Sequence, residues 1–257
     1  MVFLHGCNWH STTAPFNTML LGTDLITALA LSFCAIAAFD VFCRFVNVGN
    51  GDQNTRWYLT HAVTNAVVVY LVAPDCLALL RNPASCMEAP SNSDIPLAIT
   101  VSLHLFHCLS QIQTLTALDW AHHLAGNMLV CALAFPYHYG PVLSWGCLFV
   151  CGLPGGMDYF LLFLVKTNRI EKLTEKQWNR RLNMWIRCPG IISFLPFCYT
   201  AVLEGRTSVP FSVLAVQGLL NFINGIYFAD RVAGNAAVAE YKAAEKQQRT
   251  EKKNTEN

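Results

Sequence analysis

Residues 57–80 read WYLTHAVTNAVVVYLVAPDCLALL. The run is long and apolar enough for one helix across a bilayer, which needs about 20 mostly apolar residues. It also carries His61 and Asn65 near one end. Six more runs of this kind lie at 19–46, 95–112, 115–135, 140–166, 185–203 and 209–231. The short link between the third and fourth makes those two an αα-hairpin. Pro74 is expected to kink or end the 57–80 helix. Gly152, Pro154, Gly155 and Gly156 are expected to interrupt the 140–166 helix. In a bilayer such a break is tolerated only where protein or a cavity satisfies the freed backbone groups.

Composition agrees with this reading. Of 257 residues, 54% are hydrophobic and 13% charged, with mean hydropathy +0.36. Soluble domains carry roughly 25% charge, so a disordered chain is excluded and a soluble globule disfavoured. A net charge of +1 provides no field that attracts nucleic acid. Eleven cysteines do not form a disulfide framework in so long and apolar a chain. Most of them read as small buried apolar residues, and only Cys76 and Cys86, by the 81–94 loop, are placed for a lumenal disulfide. The expected fold is therefore all-α: a polytopic bundle of seven transmembrane helices over 19–231. Residues 1–18 form a short non-cytoplasmic segment, and 232–257 a helical extension fraying into a polar, charged tail. Residues 1–18 contain no Lys or Arg, and the first apolar run is too long for a signal peptide, so no cleavable targeting segment is expected.

Seven spans put the termini on opposite sides. Fifteen of the 17 Lys and Arg residues then fall on the C-terminal side, leaving only Arg81 and Arg206 on the other. The positive-inside rule makes the C-terminal side cytoplasmic or its equivalent. The 166–187 segment on that side resembles an interfacial stretch that binds anionic headgroups, or serves simply as a topogenic loop.

This topology also sets depths. His61, His104, His107, His122, His123 and Asp158 all fall in one slab, roughly 6–16 Å from the cytoplasmic face at 1.5 Å per residue. Asp40, Asp119, Asn183, Asn224 and Asp230 lie at the same end. His61, Thr64 and Asn65 share a helical face, as do His104, His107 and Gln111, and Asp119, His122 and His123. Ionisable groups inside spans are costly, and their common depth points to a polar cavity open to the cytoplasm. The plainer alternative is hydrogen bonding between helices. Three chemistries fit the cavity. One is acid–base or nucleophilic work by His122 and His123, with Asp158 as partner. Another is a metal site: His104-x-x-His107 and Asp119-x-x-His122-His123 resemble two boxes of the membrane di-iron hydroxylases. Those enzymes need about eight ligands in three boxes, so no metal is expected here. The third is recognition of a lipid headgroup without chemistry. The Gly152–Gly156 run fits close helix packing better than a phosphate cradle, and no Walker motif or nucleophile elbow occurs.

Asp119-Trp120-Ala121-His122-His123, followed in the next span by Gly155-Gly156-Met157-Asp158 and then by Lys166, resembles the signature of the TLC-domain family. The opening of 57–80, Arg56-Trp57-Tyr58 with His61 after it, is similar too, and the likeness covers about 55–231. It implies a helical bundle in the endoplasmic reticulum or another endomembrane, the mitochondrial inner membrane being the alternative. Ceramide synthases, the best-known branch, move an acyl group from acyl-CoA to a sphingoid base. By that likeness His122 and His123 are the catalytic histidines and Asp158 the motif acid. His61, Asn65, His104, His107, Asp119 and Lys166 then bind lipid, no resident cofactor is needed, and acyl-CoA is the co-substrate of any transfer. Gly126 and Leu161 stand where the catalytic branch has a threonine and a second acid. The likeness therefore implies a divergent member with a role in lipid composition, trafficking or membrane organisation. The other function class is a non-catalytic accessory subunit that binds protein partners in a larger membrane complex, with the bundle as lipid-binding scaffold.

Overall fold

Hydrocarbon offers a peptide group no hydrogen-bond partner, so an apolar chain satisfies its backbone within helices. A computed structural model describes residues 23–85, 87, 95–137 and 139–256, and among these the chain forms seven helices. They are α1 (Thr23–Phe45), α2 (Gln53–Arg81), α3 (Ile95–Ser110), α4 (117–134), α5 (Pro141–Lys166), α6 (Lys172–Leu203) and α7 (Phe211–Glu256). The expected 1–18 segment and Cys86, with any pairing to Cys76, lie outside the described residues.

The molecule is an all-α bundle in which α1, α2, α5, α6 and α7 are long and apolar enough to cross a membrane. Helix α3 has 16 residues. That is a rise of about 24 Å, short of the hydrocarbon core's roughly 30 Å. Large apolar side chains such as Leu31, Phe45, Tyr70 and Tyr199 stand exposed on the outside of the bundle, as a bilayer-facing surface requires. This is a multi-pass integral membrane protein.

Local signals set the helix ends. Asp52 caps α2, accepting from the Thr55 amide at 2.9 Å. The α1–α2 link turns through Asn47, Gly49, Asn50 and Gly51, all at positive φ. A Cβ on Gly49 would collide with the Thr55 side chain, so glycine is required there. Thr116 and Asp119 cap α4 reciprocally. The Thr116 amide donates to Asp119 Oδ2 at 2.9 Å and the Asp119 amide to Thr116 Oγ1 at 3.2 Å.

Cross-links identify the two ends of the bundle. At one end Gln53 Nε2 donates to the Ser110 carbonyl at 3.0 Å, and Lys166 lies 3.7 Å from Asp52. At the other, Arg206 Nη1 donates to the Ala84 carbonyl at 3.2 Å. The apolar core, including Val68, Val72, Leu79, Val142, Phe194 and Leu214, surrounds Trp145. Its indole N–H donates to Ser193 Oγ at 2.9 Å and the Gly190 carbonyl at 3.1 Å. One acid enters this region: Asp75 accepts from Ser144 Oγ at 2.6 Å.

Neither expected break ends its helix. Helix α2 continues past Pro74, and α5 continues to Lys166, interrupted as expected next to its glycines by a wide i→i+5 turn at Leu148–Gly152 that ends with Gly152 at ψ −85°. Ending either helix inside hydrocarbon would expose more peptide groups than a proline or a wide turn does. The glycines bring α5 close to α2: a Cβ on Gly156 would sit 3.1 Å from Asn65 Cβ, and one on Gly155 3.3 Å from Asn65 Nδ2.

Helix α6 begins at Lys172, thirteen residues before the expected span, so most of the 167–184 loop is helical. Glu175, Asn179 and Leu182 form its buried stripe. Two of the three are polar, which hides the stripe from a hydropathy reading. This part of α6 packs on α7, where Arg180 pairs with Glu240 at 3.1 Å and Gln177 donates to Glu240 at 3.2 Å. Ala236 is buried, while side chains beyond Glu240 are largely exposed. At 46 residues, α7 is about 69 Å long and extends well beyond a bilayer core.

Two predictions come from this packing. Gly156→Leu over-packs the α2–α5 contact and is expected to cost about 1–3 kcal/mol, read as a lowered Tm in detergent. Truncation after Lys246 leaves Tm unchanged within about 1 °C. Truncation after Gly234 removes the α6–α7 clasp and lowers Tm by about 2–4 °C for each kcal/mol lost.

Candidate functional site

At the Lys166 end of the bundle the helices enclose a cavity of about 290 Å³. Each helix from α2 to α7 contributes polar side chains at helical spacing. Helix α2 supplies His61 and Asn65, α3 supplies His104 and His107, and α4 supplies Asp119, His122, His123 and Asn127. Across from these stand Asp158 and Tyr159 on α5, Asn179, Asn183 and Arg187 on α6, and Phe228 and Arg231 on α7.

Three stretches of wide i→i+5 turns, at His122–Leu129, Leu148–Gly152 and Asn183–Arg187, border this cavity. They provide His122, His123, Asn127, Val150, Cys151, Asn183 and Arg187 to its wall. Adjacent residues on an α-helix point about 100° apart. The wide turn in α4 is where the neighbours His122 and His123 both reach the same space. Such turns occur frequently at functional sites.

The imidazoles form one continuous group. Ring centroids are 4.4 Å apart for His107 and His123, 5.2 Å for His122 and His123, 5.5 Å for His104 and His123, and 5.6 Å for His61 and His107. Trp57 stacks 4.2 Å from His107, and Tyr159 lies 4.3 Å from His61. His104 Nδ1 is 2.7 Å from the Thr100 carbonyl. A carbonyl only accepts, so Nδ1 carries the proton and Nε2 keeps its lone pair. His122 Nε2 is 3.3 Å from Asn127 Nδ2. One ligand atom from each of His104, His122 and His123 lies within 4.8 Å of the others.

Several buried polar atoms of the cavity wall have no protein partner: His61 Nε2, Asn65 Oδ1, His107 Nδ1, His123 Nδ1, Asp158 Oδ1, Asn183 Oδ1 and Arg187 Nε. Each costs about 1–3 kcal/mol if left dry, so the cavity must take up water or a polar ligand. The Arg187 guanidinium stacks 4.8 Å from the Phe228 ring centroid.

His61, Asn65, His104, His107, Asp119, His122, His123 and Asp158 thus share one cavity, but their pairings differ from the expected ones. Among the described residues no hydrogen bond or ion pair joins Asp158 to His122 or His123. Asp119 is the acid whose charge acts on both, and its carboxylate also caps α4. Lys166 is not a wall residue; it sits half-exposed beside Asp52. Asp40 pairs with Arg56 on α2 at 3.7 Å, and Asp230 is exposed. The wall also includes Arg187, Asn127 and Asn179, which hydropathy does not mark. A span beginning at 185 leaves Arg187 in the basic cluster at the surface, whereas the helix begins at Lys172. Asn179 and Arg187 recur with Asn183 at a spacing of four, and Asn127 stands four residues after His123.

No family model, no curated protein and no solved structure matches this chain.

Proposed function

We propose that this chain is a lipid-handling membrane protein of the TLC type, with all seven helices crossing the bilayer and the histidine cavity open to the cytoplasmic side. The reading rests on one observation. The polar cavity shares Asn127, Val150 and Cys151 with an apolar pocket lined by Leu97, Val130, Ala134, Val142 and Phe194. A polar chamber of about 290 Å³ beside an apolar pocket of about 60 Å³ suits the headgroup of an amphiphile and the first methylenes of its chain, which need opposite surroundings. Arg187, held on Phe228 with its Nε unpartnered, is the natural contact for a headgroup phosphate or carboxylate. His122 and His123 provide proton donors and acceptors beside it, which also suits acyl transfer. The 15-to-2 partition of basic residues supports the orientation, and the TLC likeness supports an endomembrane location.

Native mass spectrometry of the detergent-purified protein tests this. The wild type is expected to retain phospholipid or sphingolipid, and Arg187→Gln and His123→Gln to lower its occupancy at least fivefold, with Tm within about 4 °C, on the order of 1 kcal/mol. A wild type that carries no lipid but holds a stable protein partner would replace this reading with an accessory-subunit role. Unchanged lipid in both variants would reject the cavity as the lipid site.

A further inference from the structure

We propose that His104, His122 and His123 form a three-histidine site for a divalent transition-metal ion of the zinc class, with the fourth position open to the cavity. The proposal stands on imidazole geometry and does not depend on the lipid reading.

Three atoms within 4.8 Å of one another have a common point no more than about 2.8 Å from each. Zinc–imidazole bonds are about 2.0–2.1 Å, so each nitrogen needs to move inward by about 0.7 Å, within reach of small side-chain rotations. One donor is pre-set. The Thr100 carbonyl, 2.7 Å from His104 Nδ1, holds that ring in the tautomer whose Nε2 offers a lone pair. This is the outer-shell device usual for metal-binding histidines. His123 is 4% exposed, and its Nδ1 has no partner. The wide turn beginning at His122 lets two consecutive residues on α4 face one on α3.

Donor type fits, and the charges nearby are mixed. Asp119, whose charge reaches His122 and His123, offsets a dication, while Arg187, whose charge reaches His104 and His122, opposes one. All three donors are imidazoles, which suit zinc, copper, iron or nickel and are poor ligands for calcium or magnesium. Three histidines with an open fourth position is the pattern of a catalytic zinc centre, in which the ion makes bound water a nucleophile near neutral pH. All three ligands lie in the two motifs of the sequence, one in the first and two in the second; which of their members meet is set by the packing of α3 on α4, and His107 is not needed.

The probe is cobalt(II), added to chelator-treated, detergent-purified full-length protein, with metal content measured in parallel after zinc loading. About one equivalent per chain is expected, with the intense visible absorption of four-coordinate cobalt. His104→Gln, His122→Gln and His123→Gln should each weaken binding at least tenfold. His61→Gln, in the same cavity but outside the triad, should bind as the wild type does. Weak octahedral cobalt absorption in the wild type would overturn the proposal, and that measurement needs no variant to fold. Retention of metal by His104→Gln, or equal loss in His61→Gln, would also overturn it. Lipid occupancy by mass spectrometry, with and without chelator, shows separately whether the lipid reading survives.

Discussion

A polar group in hydrocarbon must find a partner, and the architecture follows from that constraint. The backbone meets it through helices that continue even where Pro74 and the Gly152–Gly156 run would end them in water. The side chains meet it by gathering. Imidazoles and amides from α2 through α6 face one another around a cavity, and the wall atoms still without partners are left for water or ligand.

Gathering them requires departures from regular helix. A straight α-helix presents one stripe, and His122 and His123 cannot both lie at its centre. The i→i+5 turns in α4, α5 and α6 rotate the following residues, and all three occur at the cavity. Each leaves the local backbone less well bonded than a regular helix does.

The two halves of the bundle therefore differ in kind. One is closed by aliphatic and aromatic packing, with the buried acid Asp75 accepting from Ser144. The other contains the histidine cavity, with Arg187 resting on Phe228 and Asp119 doing double duty as helix cap and local negative charge. Near this end the α6–α7 clasp through Arg180, Gln177 and Glu240 extends the fold beyond the span that hydropathy marks. The proposed lipid and metal readings share His122 and His123; Arg187 belongs to the first reading alone and His104, as a ligand, to the second.

The apolar runs, their order, the uneven placement of Lys and Arg and the shared depth of five histidines were all legible in the sequence. Hydropathy and rise per residue are local, nearly additive properties, so His61, His104, His107, His122, His123 and Asp158 could be placed in one slab without knowing any contact. Which of them touch could not be read, because each helix's rotation about its axis is set by its neighbours. Asp119 shares a helical face with the histidine pair, as its spacing implied, but rotation left Asp158 bonded to neither histidine and Lys166 outside with Asp52. The start of α6 was hidden because Glu175 and Asn179 carry its buried stripe as polar residues. Arg187 reached the cavity, and His104 came close to His122 and His123, only through wide turns and cross-helix packing. Those arrangements minimise the energy of the whole bundle, and no single segment encodes them.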